Sequence, residues 1–378
     1  MLAPAANKGY PYMRFFNDKI SLRQLQVLLI LDIFGTGVIV MPRIAANIAG
    51  ENGWIVAISA TFATMLFAYA AASALRNSAG MSFVDYTRRL LGAPFGLVVS
   101  LGLVAKIVFG ISMEIRFFIE IMRETMLFQT PYNAVFVCMI AVSAYAAGKG
   151  IEVRARLCEI LVILVLVPFV FVLFAAGLDA DYSNLLPVMR QSHVSDVVAG
   201  GLLIGSTYKG IEFLMLVHPY VEKPSQIRRS AVKAVAFAGV LITAATVITI
   251  AKFGAEGLTR QSWPFLEIMD TINFPGSFVE RQDALMMSIW IISVFAILSS
   301  GLFFAAVILK DIAKAGQHFH YVLGVIPAIF VVSILPDNII TIGGRLDIVF
   351  AALGLLYMLV VPLLLIIMAG IKRMVERT

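Results

Sequence analysis

Apolar residues run along this chain in ten long blocks, at roughly 22–46, 54–75, 94–122, 131–148, 158–178, 195–218, 234–251, 284–309, 319–336 and 347–371. Blocks of about 18 or more such residues are long enough to cross the hydrocarbon of a bilayer as helices. The pattern predicts ten transmembrane helices, spans 1 to 10, of which the fourth, sixth and ninth are the least clean. The longest connection, about 252–283, carries "WPFLEIMDTINFPGSF". Its partly apolar character predicts a short helix on the outer face, either a lid or an ordinary interfacial segment.

Polar positions inside the blocks are few, and they cluster. Spans 1, 3 and 6 hold charges in their cores: Asp32, Lys106, and the pair Lys209 and Glu212. Asp32 sits about 15 Å into span 1 at about 1.5 Å per residue. Charges at such depth are expensive and face a bundle interior or a wet cavity. Three helices with this feature predict one shared polar site. A lone carboxylate there would be neutral, so Asp32 is expected to have a cationic partner. Lys106 and Lys209 are the candidates, with Lys209 favoured.

Spans 1 and 6 share a second anomaly. Span 1 reads "LDIFGTGVIVMPR", with Gly35, Thr36 and Gly37; span 6 reads "GGLLIGSTYKGIEF", where Gly205 and Gly210 bracket Ser206, Thr207, Tyr208 and Lys209. Gly-x-Gly in a membrane helix also serves close helix packing. Two matching interruptions five helices apart, however, predict an inverted-topology repeat with broken helices 1 and 6 at a midplane binding site. Unwound backbone can bind a solute: a half-helix N-terminus attracts a carboxylate, and freed carbonyls attract an ammonium. A zwitterion such as an amino acid suits both. The expected ligand-binding residues are Asp32, Gly35, Thr36, Gly37, Lys106, Gly205, Ser206, Thr207, Tyr208, Lys209, Gly210 and Glu212.

Composition agrees with the pattern. The chain is 60% hydrophobic and 14% charged, with mean hydropathy +0.93, against roughly 45–50% apolar and 25% charged in soluble domains. Residues 1–20 read as a cytoplasmic segment without a cleavable signal. Residues 21–378 read as one ten-helix domain, with repeats at about 21–178 and 190–371. With the N-terminus inside, the inside segments carry 19 Lys and Arg and the outside segments 7. This bias predicts cytoplasmic termini; Arg154 is counted among the inside residues. The net charge of +6 follows from that topology and predicts no nucleic-acid partner. Cys138 and Cys158 are expected to be free thiols. Glu114, Arg116, Glu120 and Arg123 can form an ion-pair ladder at the outer end of span 3. Glu280, Arg281 and Asp283 open span 8 as an interfacial anchor or a gate. His218, His318 and His320 have no metal-ligand spacing. No nucleophile–base pair or phosphate loop stands out, so neither an enzyme nor a cofactor is expected.

Five plus five helices with the first and sixth broken resemble the amino acid–polyamine–organocation superfamily and its leucine-transporter-type fold. "GWIVAISA", "RFFIEIMRETMLFQTP", "NLLPV", "YKGIEFLMLVHPYVEKP" and "PFLEIMDTINFPGSFVERQDALMMSIWIISVF" narrow this. They resemble the B subunit of bacterial spore germinant receptors over about residues 18–375. Lys106 and Lys209 depart from that family's pattern. The resemblance implies an all-α membrane protein of the spore inner membrane, touching lipid. It also implies sensing of a small amino-acid-like germinant together with A and C receptor subunits. Sodium-coupled relatives hold a cation with adjacent hydroxyls where Ser299 and Ser300 lie; the pair also suits plain helix packing. A receptor subunit is the first reading. A proton- or sodium-coupled amino acid transporter and a scaffold or ion-conducting component are the alternatives.

Overall fold

A computed structural model describes residues 18–78, 80–189, 193–261, 263–271, 282–336 and 347–375. Helix α1 (Leu22–Ala49) opens with a reciprocal cap, in which Ser21 and Gln24 satisfy each other's backbone N–H. Helices α2 (Gly53–Ala74), α4 (Ala93–Thr125), α5 (Tyr132–Gly148) and α6 (Ile151–Leu178) complete the first five spans, with the short α3 (Phe83–Leu91) between α2 and α4. The second five are α7 (Val194–Thr207), α8 (Ile227–Arg260), α10 (Gln282–Ala313), α11 (His318–Ile334), and α12 (Asp347–Leu355) continuing into α13 (Val361–Val375). A π-helical turn, Leu356–Val360, joins α12 to α13.

The halves pack as each other's inverse. Helix α1 lies against α8 and α6, and α7 lies correspondingly against α2 and α12. The contact of α10 with α5 is matched by that of α4 with α11, while α4 and α10 meet at the centre. The fold is thus an all-α, multi-pass membrane bundle of the five-plus-five inverted type. The outward face of α6 carries exposed apolar side chains such as Ile163, Val167, Phe171 and Phe174, as contact with lipid requires.

The two expected interruptions differ in kind. Span 6 ends its α-helix at Thr207. Tyr208 is extended (φ −62°, ψ 127°), Gly210 is left-handed (φ 87°), and only short 3₁₀ turns follow at Ile211–Met215 and His218–Tyr220. Pro219 and Pro224 stand in the first turn of short 3₁₀ segments, where a missing N–H costs no helical bond, and the second of these segments leads into α8. Span 1 is interrupted more sharply, at a single residue, Gly35 (φ −31°, ψ −116°), a kink across which two helical segments meet.

The outer connection holds a short helix, α9 (Pro264–Thr271). It is seated in the bundle: Phe265 and Ile268 are buried, and Phe265 packs on Phe169 of α6 with ring centroids 5.2 Å apart. Glu280 and Arg281 lie outside the described residues. At the face where α1 begins, Ile20 pairs in parallel with Val221. The Ile20 N–H donates to the Tyr220 carbonyl at 2.8 Å, and the Glu222 N–H to the Ile20 carbonyl at 3.1 Å.

Candidate functional site

Asp32, ten residues along α1, is buried. The break of span 6 comes close to it across the bundle. A Cβ built on Gly210 would lie 2.7 Å from the Asp32 Cβ, so this close approach and the left-handed φ both require glycine there. The Ser300 hydroxyl of α10 donates to Asp32 Oδ1 at 2.8 Å.

The cation beside Asp32 is Arg154, and neither expected lysine pairs with this carboxylate. Arg154 is 1% exposed. Its Nη2 donates to Ser300 and its Nε to Ser299 at 3.4 Å, while its guanidinium lies over the Phe303 ring at 5.4 Å. Arg154 and Glu212 are the charged neighbours of Asp32. The sequence reading placed Arg154 in a cytoplasmic connection. It stands four residues into α6, and its long side chain reaches inward to α1 and α10. An Arg four residues ahead of an apolar block was the only signal.

The two lysines form a crossed arrangement between α4 and the break. Lys106 of α4 pairs with Glu212 of the break, both almost fully buried. Lys209 of the break pairs with Glu114 of α4. Lys209 is thus committed to Glu114, which corrects its expected pairing with Asp32. Glu114 itself was read as part of an outer ladder. It is wholly buried, and its Oε1 would lie 3.4 Å from a Cβ at Gly35, which brings the kink of α1 into the same site. The ladder is represented by Arg116 with Glu120. The site therefore gathers three carboxylates, Asp32, Glu114 and Glu212, and three cations, Lys106, Arg154 and Lys209. A balanced set limits the net charge held in a low-dielectric interior, where an unpaired charge is most costly.

Exposure separates the pairs. The Lys209 side chain is 19% exposed, against 3% and 5% for Lys106 and Glu212. Glu212 Oε2 and Arg154 Nη1 are buried without a hydrogen-bond partner. Both are polar atoms with capacity to spare.

Other expected site residues lie elsewhere. A Cβ on Gly205 would meet Ala60 O, Ala63 Cβ and Thr64 Oγ1 at 3.0–3.1 Å, so Gly205 faces α2 and serves packing. The Thr64 hydroxyl also donates to the Gly205 carbonyl at 3.3 Å. Ser206 and Thr207 direct their hydroxyls back to the Leu203 and Ile204 carbonyls, each at 2.7 Å. Tyr208 is buried in the extended link. A Cβ on Gly37 would meet nothing within 4 Å. Thr36 belongs to α1 beside the kink. Ser299 and Ser300 face the Arg154 guanidinium. Among the described residues no group of three His, Cys, Asp or Glu side chains has the proximity to hold a metal ion, and Cys138 and Cys158 are free.

The structure of MhsT in complex with L-phenylalanine superposes with a TM-score of 0.62, covering 91% of this chain and 97% of MhsT at 14% identity. That match identifies the leucine-transporter-type fold. Spore germination protein YndE of Bacillus subtilis (strain 168) is 23% identical over 326 residues, 85% of this chain and 88% of YndE. Spore germination protein KB of the same organism is 23% identical over 361 residues, 94% of this chain and 95% of that protein. Spore germination protein GerLB of Bacillus cereus is 24% identical over 369 residues, 94% of this chain and 96% of GerLB. The family of spore germination proteins matches residues 19–342, and the chain belongs to that permease-type family.

Proposed function

We propose that this chain is the membrane subunit of a spore germinant receptor and no enzyme. It binds a small amino-acid-like zwitterion where the kink of α1 and the break of span 6 face α4. The observation that carries this reading is the Lys209–Glu114 pair, the more accessible of the two crossed pairs, set against Gly35. A zwitterion can open that pair and replace both halves, its carboxylate taking Lys209 and its ammonium taking Glu114. Such an exchange leaves no buried charge unpartnered, which is the costly outcome. The receptor lies in the spore inner membrane with both termini in the cytoplasm, and acts with the A and C subunits of the receptor.

The test is thermal unfolding of the purified protein against a panel of small amino acids. A binder at a hundred times its dissociation constant stabilises by about 2.7 kcal/mol. The same ligand should give no shift with Glu114→Gln, whose own cooperative melt checks that it is folded. Absence of a shift with every amino acid tested overturns the reading.

The transporter alternative turns on ion coupling. In this chain Ser299 and Ser300 are engaged by the Arg154 guanidinium, a cation that cannot leave with a gradient. This favours a ligand response that needs no gradient. Ligand-driven change in detergent, without sodium or proton gradients, supports the receptor. Counterflow of the same ligand in proteoliposomes supports a transporter.

A further inference from the structure

Between α4, α11 and the last spanning helix lies a crevice of about 570 Å³. Val98, Ala105 and Phe109 of α4, Val332 of α11, and Leu353 and Tyr357 of the last helix form its walls. Val98 and Leu356 at its edge are exposed, whereas Lys106, which also lines it, is buried. The crevice therefore runs inward from the lipid-facing surface to one member of the charged site. Tyr357 narrows it, donating its hydroxyl to the Val99 carbonyl at 3.2 Å. A Cβ on Gly102 would overlap that hydroxyl. The π-helical turn beginning at Leu356 sets Tyr357 in this place, and such turns recur at functional positions.

Residues 98–109 of α4 span about 8–24 Å from its start at about 1.5 Å per residue. This is the depth of bilayer hydrocarbon. Its polar lining groups are already engaged, Lys106 with Glu212 and the Tyr357 hydroxyl with the Val99 carbonyl, so it offers water few partners, and left empty its walls would lose their dispersion contacts. The elements that form it also carry exposed apolar side chains: Phe95 and Leu101 on α4, Val331 on α11 with Leu335 at its end, and Val360. Hydrocarbon is the medium that reaches it.

We propose that this crevice is a lipid site that takes one acyl chain of a bilayer phospholipid, laid against Tyr357 and Lys106. The chain then forms the outer wall of the Lys106–Glu212 pair. The inference stands apart from the identity of any germinant.

The test uses the full chain in nanodiscs containing a phosphatidylglycerol with a diazirine midway along one acyl chain. After irradiation, labelled peptides are mapped by mass spectrometry. Label is expected on residues 98–109 and 353–357, several-fold above the lipid-facing stretch 163–174 of α6. Ala105→Trp, which fills the crevice, should remove that excess while α6 labelling is unchanged. Leu356→Trp, at the exposed edge, does the same by closing the mouth and serves if Ala105→Trp fails to fold. Equal labelling of the crevice and α6, or an excess that persists in a folded Trp variant, overturns the proposal. So does an excess that appears only with a diazirine-bearing free fatty acid and not with the phospholipid, which would make a fatty acid the occupant.

Discussion

Ser300 donates its hydroxyl to Asp32 at 2.8 Å and accepts from Arg154 on its other side. One hydroxyl of α10 thereby joins a carboxylate of α1 to a guanidinium of α6. Hydrogen bonds to charged groups are worth about 1.5–3 kcal/mol. Ser300→Ala should therefore lower unfolding stability in detergent by about that amount. Ser299→Ala should cost less, since Ser299 donates to the Ala296 carbonyl of its own helix and does not bond Asp32.

Arg154→Met leaves Asp32 buried beside another carboxylate, Glu212. Losing one partner of a buried pair costs about 3–5 kcal/mol. Adding Asp32→Asn should recover much of that loss. A double-mutant cycle by thermal unfolding measures the coupling, and simple additivity would show that Arg154 and Asp32 do not interact.

The crossed pairs predict which charge swaps succeed. Lys209→Glu with Glu114→Lys should restore more ligand response than either change alone, and Lys106→Glu with Glu212→Lys should do likewise. Asp32→Lys with Lys209→Asp should restore nothing. Ligand-induced thermal shifts read all three combinations.

The glycines should separate by environment. Gly210→Ala forces a side chain into the left-handed region, at about 1–2 kcal/mol, and presses on Asp32. Gly205→Leu should fail through packing against α2, with loss of stability and not of ligand response alone. Gly37→Ala meets open space and should gain up to about 1 kcal/mol in helix propensity. Chemical or thermal denaturation of the three variants orders them.

Outside the membrane, Asp181 caps the turn Tyr182–Leu185 by accepting from the Ser183 N–H at 3.0 Å. Its hydrogen bonds to Ser183 hold the carboxyl below the usual Asp value. A depressed acid stabilises the fold above the unfolded pKa, and the effect is lost as pH falls through the folded value. Asp181→Ala should therefore lower the melting temperature slightly at pH 7 and not at all once both states are protonated. A melting series from pH 7 downward checks the sign.

Much of the architecture was legible because spans are written in blocks of apolar residues and because buried charges are rare. Asp32, Lys106, Lys209 and Glu212 stood out for that reason, and they do converge. Their pairing was not legible. Lys106 and Glu114 are eight residues apart on one helix, and which of them meets which charge of the break depends on the rotation and height of α4 against span 6. Sequence spacing carries neither quantity. Arg154 was missed because an arginine near a helix end reads as a loop residue, while its side chain is long enough to enter the core. Gly205 was misplaced for the opposite reason. A glycine that admits a neighbouring helix and a glycine that admits a solute look alike until the neighbour is known.

The Ile20–Val221 pairing fastens the start of α1 to the stretch just past the break of span 6, and it does so through main-chain atoms. The Ile20 and Val221 side chains are themselves fully buried, so the clasp joins main-chain hydrogen bonds to apolar packing. A displacement of the broken segment would draw the chain ahead of α1 with it, as a pulled thread moves a hem. The break and the start of α1 are thus tied as one piece, so a change of position at either would be felt at the other.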